Sequence, residues 1–353
     1  MSGLKPRLKA LIAEQGPITT AQFMTYCLHD PAAGYYATRP GLGPQGDFIT
    51  APEVSQMFGE LIGVWVMAAW EAMGRPDPVH LVELGPGRGV LMSDLLRAAG
   101  LRPDFLKALQ LYLIEASPAL RLQQQARLAA FAPVHADRLV EVPAGAPLIV
   151  LANEFFDCLP ARQFVRKDRA WFEQRIGLDA AGELAFGLAP PPSGVDLPVR
   201  AKDGAVFEVS AAQEAFGQML ASRLAADGGL ALIIDYGRDR PEFGDTFQGL
   251  EQHRKIDPLA APGEADLTVH VDFPAVAAAA RAGGAQVSAI VGQGEFLARI
   301  GLGDRLAALI DRHPENTETL VRQARRLADQ SQMGTLFKVM VISQAGLAVP
   351  AFD

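Results

Sequence analysis

Residues 81–96, LVELGPGRGVLMSDLL, run as an unbroken apolar stretch, stop on three glycines and resume with helical spacing. A strand buried on both faces reads as a continuous apolar run, and a glycine break that feeds a helix turns the chain back over the sheet. The theme recurs: VHLVELG, VLMSDLLRAAG, LQLYLIEAS, SPALRLQQQARLAAF and PLIVLANEFF alternate strand-like with helical segments. It returns in SAAQEAFGQMLASRLAADGG, GGLALIIDYG, DFPAVAAAARAGG and AQVSAIVGQG. Helices then cover about 294–331, and TLFKVMVIS closes the sheet. This alternation specifies an α/β fold whose mostly parallel sheet is built from βαβ units.

The flanks differ. Over residues 1–76 the spacing is helical in LKPRLKALIAEQG, FMTYCLHD and SQMFGELIGVWVMAAWEAMG, which predicts an N-terminal helical lid. Between these lies AAGYYATRPGLGPQGDFITAPEVS, a long loop dense in Gly and Pro that sets Asp47 and Phe48 just ahead of a helix capped by Ser55 or by the Thr50 to Pro52 turn. Residues 77–343 form the sheet domain. The stretch ARQFVRKDRAWFEQRIGLDAAGELAFGLAPPPSGVD carries short strand-like runs and a Pro-rich end, predicting a β-hairpin insertion at about 161–205. A second insertion is expected at about 238–268, and residues 344–353 make a tail.

Formal net charge is −8 over 353 residues, which argues against a nucleic-acid coat or an anionic membrane surface as the main partner. The longest apolar stretch, LIGVWVMAAW, lies between Glu60 and Glu71 and is too short to insert across a bilayer. Two cysteines, Cys27 and Cys158, are too few for a disulfide framework or a cysteine metal site. The first residues lack the apolar core of a signal peptide, so a cytoplasmic protein is expected.

Glycines 85, 87 and 89 stand as G-x-G-x-G. A dinucleotide fingerprint needs Gly or Ala where Val90 stands, and no G-K-[ST] follows, so a phosphate is disfavoured. Glu83, directly before the turn, would repel a pyrophosphate but suits a ligand carrying an ammonium and a sulfonium. Glu115, at the end of the next strand and followed by Ala116, is where a βαβ unit delivers an acid to a ribose diol. Together they describe an S-adenosyl-L-methionine site, with Gly85, Pro86, Gly87 and Gly89 letting the backbone approach the cofactor closely. A tight turn and nothing more is the alternative.

ELGPGRG resembles motif I of the Rossmann-like class I methyltransferases. GYY at 34–36, GDFITAPEVSQMFGELIGVW at 46–65, NEFFDCLP at 153–160 and DLTVHVDF at 266–273 resemble one family, the mitochondrial complex I assembly factors of the MidA or NDUFAF-seven type, protein arginine methyltransferases with bacterial members. The match runs from about residue 17 to 340. It implies a class I fold with a seven-stranded sheet, S-adenosylmethionine as cofactor and NEFFDCLP at the catalytic centre. It also implies a protein partner, the 49-kDa-type subunit of complex I, methylated on an arginine side chain to symmetric dimethylarginine. Relatives are expected in the mitochondrial matrix, and a homodimer stays open.

A guanidinium holds its proton tightly, so carboxylates that grip it and help dispose of a proton are the groups to seek. Asn153, Glu154 and Asp157 are the leading catalytic candidates, with Asn153 also beside the cofactor, because a buried strand ending in N-E and then D is hard to justify by stability alone. Alternatively, Asp157 caps a short helix and Glu154 points to solvent. Asp47, Thr50, Asp235 and Tyr236 are further candidates to close over the pocket. Asp137, in a loop that commonly meets the adenine in this fold class, is a candidate acceptor for its amine. His270, Asp272 and Asp266 have a metal-like look without a second histidine, so no metal is expected and a capping or channel role is preferred. A small-molecule methyltransferase and a non-catalytic cofactor-binding chaperone remain alternatives.

Overall fold

The computed structural model describes residues 3–38, 50–251 and 254–352. Its main sheet contains β1 (Val79–Leu84), β2 (Leu109–Ile114), β3 (Val134–Ala136), β4 (Leu148–Asn153), β5 (Gly229–Arg238), β6 (Gln286–Val287) and β7 (Phe337–Ser343). They lie in the order β6-β7-β5-β4-β1-β2-β3, with two short strands, Val271–Asp272 and Val291–Gly292, off that path. From β3 to β5 all pairs are parallel, and β7 enters antiparallel to β5 with Leu230 opposite Ser343. This is the Rossmann-like arrangement, and the apolar runs of the sequence are its strands.

Successive side chains of a strand point to opposite faces. Leu81, Ile149, Leu151, Leu232 and Val339 therefore meet the helices Gln56–Ala72 and Val90–Ala99 on one side. Val82, Val150, Ile233 and Met340 meet Ala211–Asp227 and Phe273–Ala282 on the other. Because the helix Gln56–Ala72, with Trp65 and Trp70 buried, is part of the first core, the expected boundary at 76 is wrong. Its apolar face completes the sheet domain rather than a lid.

The segment AQVSAIVGQG does not form one strand. It pairs with β7 at Gln286–Val287 and again at Val291–Gly292, and at the break Ser288 accepts through Oγ from the Val341 N–H at 2.9 Å. The 161–205 segment holds more than a hairpin. Arg162–Lys167, Ala170–Leu178, Leu184–Ala189 and Val206–Val209 form an antiparallel sheet whose fifth strand is Ile18–Thr19, so the insertion reaches residue 209 and clasps the N-terminus. Leu8, Phe23, Leu28 and Tyr35 pack there with Cys158, Ile176, Phe247 and Leu267 in a third core. A small sheet of Gln248–Glu251, Arg254–Ile256 and Asp266–Thr268 completes this side.

Candidate functional site

The carboxyl ends of β1, β2 and β4 open on a cavity of about 470 Å³. Crevices at this end of an open α/β sheet are its usual ligand sites. Gly85, Gly87 and Gly89 take φ of 59°, 53° and 73°, a region that costs a side-chain-bearing residue energy. The Gly85 N–H donates to Ile114 O at 3.0 Å, fixing the turn to β2. Gly85, Pro86 and Gly87 line the cavity. Gly89 does not: it precedes the helix Val90–Ala99 and faces Gln124, Arg127 and Leu128, where a Cβ would stand 3.5 Å from the Gln124 side chain. Expected as a cofactor contact, it is a packing glycine.

Glu83 is buried at the cavity, and its Oε2 has no hydrogen-bond partner among the described residues. The Asn153 Oδ1, at the end of β4, is likewise buried and unpartnered. Leaving such acceptors unsatisfied is costly, so two of them in one cavity fit a ligand that brings donors. Burial first, then the Glu115 charge, pushes the Glu83 carboxyl up to about 8, so a cationic group is what would ionise it. Glu115 accepts from Ser117 N at 2.8 Å through Oε1 and from Gln124 Nε2 at 3.1 Å through Oε2; Ala116 lines the wall beside it. Carboxylate oxygens hold further lone pairs, so a diol can still be received. Asp137 stands at the exposed rim with its Oδ1 engaged by Arg121, whose Nε also donates to Glu115 O at 2.7 Å.

Gln124 was not singled out from the sequence. Fully buried, it donates through Nε2 to Gly87 O at 2.7 Å and to Glu115 Oε2, and its Oε1 meets His135 Nε2 at 2.9 Å. It ties the glycine turn, the β2 acid and β3 together.

Beyond β4 the chain enters NEFFDCLP through Glu154, whose φ of 52° is unusual for a non-glycine residue. The turn is held from behind. Asp235 Oδ2 accepts from the N–H groups of Phe155, Phe156 and Asp157 at 3.1, 2.9 and 3.2 Å, and Oδ1 accepts from Tyr236 N at 2.9 Å. Asp235 and Tyr236 therefore do not close over the cavity: the acid anchors the turn, and the Tyr236 hydroxyl donates to Asp157 Oδ2. Glu154 does not point to solvent. It lines the cavity, accepting at Oε1 from Ala51 N and Asn153 Nδ2, each at 3.1 Å. Burial first, with Asp157 adding to it, pushes its carboxyl up to about 8; burial pushes that of Asp157 up to about 6.

Thr50 lines the same cavity, whereas Asp47 lies outside the described residues. Tyr36, His29, Asp266 and Cys158 join the wall, and Phe155 and Phe216, 5.0 Å apart between ring centroids, make an apolar side. Asp272 caps the helix Phe273–Ala282, accepting from Ala275 N at 3.1 Å, and pairs with Arg238 at 2.8 Å. Among the described residues no group of three or more His, Cys, Asp or Glu could hold a metal. No helix among them is long and apolar enough to cross a membrane.

The cavity thus combines a turn of positive-φ glycines, two unpaired acceptors and the Glu115 carboxyl group. Residues 61–291 match the family of S-adenosyl-L-methionine-dependent methyltransferases. The chain is 38% identical to the Drosophila melanogaster mitochondrial homologue of protein arginine methyltransferase NDUFAF7, over 98% of this chain and 86% of that one. It is 35% identical to the human mitochondrial protein arginine methyltransferase NDUFAF7, over 94% and 81%. The crystal structure of a Burkholderia thailandensis protein bound to S-adenosyl-homocysteine superposes with a TM-score of 0.86 at 30% identity, covering 99% of this chain and 94% of that one. By these matches the chain belongs to the NDUFAF7-type family of S-adenosylmethionine-dependent methyltransferases.

Proposed function

We propose that this enzyme methylates an arginine side chain of a protein, forming symmetric dimethylarginine on the 49-kDa-type subunit of complex I, with the cytoplasm as its compartment. The observation that carries the reading is that the cavity continues past the cofactor's acceptors into Glu154 and Asp157, neither of which has an ion-pair partner among the described residues. An uncompensated pair of acids, Asp157 buried and Glu154 half-buried, calls for a cation, and a guanidinium is the side chain that meets carboxylates edge-on.

In this reading Glu83 and Asn153 take the cofactor's ammonium, Glu115 its ribose hydroxyls, and the turn at Gly85–Gly87 the backbone approach. When bound, S-adenosylmethionine supplies a methyl on a sulfonium, which leaves as a neutral thioether as the acceptor nitrogen takes the carbon. Glu154, fixed by Ala51 N and Asn153, grips the guanidinium and receives the proton that nitrogen gives up. Asp157, held by Tyr236, offers a second oxygen to the same cation. The apolar wall of Phe155 and Phe216 excludes water from the reacting atoms. The N-terminal helices and the sheet that clasps them form the docking side for the protein acceptor.

Incubation with methyl-labelled S-adenosylmethionine and the purified subunit tests this. Mass spectrometry is expected to place both methyl groups on one arginine, and the Glu154→Gln variant to lose roughly 10²–10⁴-fold in kcat while still binding S-adenosylhomocysteine. Label on a small molecule, on another residue type, or nowhere despite cofactor binding would overturn the assignment.

A further inference from the structure

A single turn of helix, Ala51–Val54, touches both the glycine turn and the acid proposed to serve the acceptor. It lies between the extended residues Thr50 and Ser55, and at four residues it is too short to hold its own shape. Thr50, Pro52 and Glu53 line the cavity, while Ala51 and Val54 are buried in the first core with Ala324 and Leu327. The Ala51 N–H donates to Glu154 Oε1 at 3.1 Å. Two residues on, Glu53 Oε1 accepts from Arg88 Nη1 at 3.4 Å, the one ion pair that either side chain makes among the described residues.

The Arg88 end of this connection is fixed. Arg88 stands between Gly87, whose O accepts from Gln124 Nε2 at 2.7 Å, and Gly89, whose N–H donates to Pro86 O at 2.8 Å. The Glu154 end depends on its donors. Asp235 holds the backbone beyond Glu154, but the carboxyl itself has only Ala51 N and Asn153 Nδ2 among the described residues, both on Oε1. Ala51 offers packing a single methyl, so the direction of its N–H follows the pose of the helical turn, and Glu53 ties that pose to Arg88.

We propose that Glu53 is a positioning residue for Glu154: paired with Arg88 of the glycine turn, it sets the Ala51–Val54 segment so that the Ala51 N–H meets the carboxyl that receives the acceptor's proton. The turn that approaches the cofactor and the acid that serves the acceptor are thereby held by one element. The assignment rests on the role given to Glu154 above, and Glu53 acts only through it.

The two ways for Glu53 to act on Glu154 have opposite signs. Burial and Asp157 raise the Glu154 carboxyl, the Ala51 and Asn153 donors lower it, and Asp235 shares its field; Glu83, Arg88 and Arg138 line the same cavity. As a bare negative charge Glu53 would raise it too, so removing Glu53 would bring the value down. As a positioning residue, its removal costs the Ala51 donor and sends the value further up.

Difference infrared titration of the full-length protein without cofactor follows the protonated-carboxyl band that Glu154→Gln removes. In Glu53→Ala its midpoint is expected to rise by about 0.5–1 pH unit, and in Glu53→Gln, which can still accept from Arg88, by less. Arg88→Ala should raise it alike and add little to Glu53→Ala. The Kd of S-adenosylhomocysteine, within about twofold of wild type in Glu53→Ala, shows that the variant is folded. With the protein acceptor, the rise of kcat with pH should move up by the same amount, leaving kcat roughly 3–10-fold lower at pH 7.5 and recovering at alkaline pH. A midpoint that falls or stays in Glu53→Ala overturns the proposal, as does a shift that Arg88→Ala does not share. A Kd for S-adenosylhomocysteine that rises tenfold in Glu53→Ala makes Glu53 a support of the cofactor turn and overturns it too. A shifted midpoint beside an unshifted kcat profile keeps Glu53 as a positioning residue and overturns instead the proton-accepting role of Glu154.

Discussion

Gln124 is the middle of three consecutive glutamines, and its neighbours Gln123 and Gln125 are exposed. Its spacing with Leu120 and Leu128, both buried, puts it on the inward face of the helix Pro118–Arg127, and a polar residue at an inward position is the signal that could have found it. Both of its N–H groups are spent, so its Oε1 must accept, which places the proton of neutral His135 on Nε2. Gln124→Leu is expected to weaken S-adenosylmethionine by about 1–2 kcal/mol, roughly 5–30-fold, and to have little further effect in a Glu115→Gln background. Calorimetric titration of the four proteins checks this; additive losses would show that Gln124 does not act through Glu115. Glu83 carries a second residue-scale consequence. Its carboxyl, pushed up to about 8, is protonated near pH 7 and must lose that proton to meet an ammonium. Cofactor affinity should therefore climb by up to about tenfold per pH unit from pH 6.5 toward 8, and this component of the slope should vanish in Glu83→Gln.

At the scale of elements, a close fit joins the helices Gln56–Ala72 and Val90–Ala99. A Cβ on Gly63 would lie 2.8 Å from Leu95 O, and one on Gly59 2.6 Å from the Asp94 Cβ. Backbone cannot yield as a flexible side-chain tip does, so Gly63→Ala should push the helices apart and cost about 1–3 kcal/mol, read as a lower urea midpoint with unchanged m-value. A neutral outcome would mean the helices slide without loss. The glycine turn sits at the start of the second helix, so the same contact holds the cofactor turn in place. The turn after β4 depends on an element in another way: Asp235, within β5, supplies the acceptors that its backbone lacks.

For the molecule as a whole, four acids at the cavity, Glu83, Glu115, Glu154 and Asp157, have folded pKa values raised above their unfolded ones, mainly by burial. A raised carboxyl means the folded state binds more protons, so its contribution is intact below the unfolded value, near 4.5 for a Glu, and is lost as pH rises through the folded value. The histidines His29, His80, His135 and His270 act oppositely, being held below their ordinary pKa, but this effect fades as pH rises past the unfolded value near 6.5. Stability without cofactor is therefore expected to fall between about pH 6.5 and 8. Glu83→Gln should flatten that fall and raise stability at pH 8 by about 1–3 kcal/mol while weakening cofactor binding. Thermal melts from pH 6 to 8.5 measure it; a wild-type protein that gains stability across that window would refute it. The fold thus spends stability on a site that its ligands repay.

What the sequence determined by itself is the local part of this account. Continuous apolar runs specify strands buried on both faces, and glycines 85 and 87 specify a backbone that turns where side chains cannot. Glu83, Glu115 and the NEFFDCLP acids stand at strand ends, so the parallel topology alone carries them to one edge of the sheet. Periodicity reports how deeply a position is buried, and not what it is buried against. Hence Gly89 looked like its two neighbours and packs outward instead, Ile18–Thr19 gave no sign of pairing with a strand beyond 170, and Asp235 passed for a pocket residue while it serves the turn behind. Tyr36 and Asp266, 230 positions apart, and Ala51 and Glu154, 103 apart, meet only through tertiary packing. Loops and side chains from separate excursions find their partners only once the core that carries them is closed.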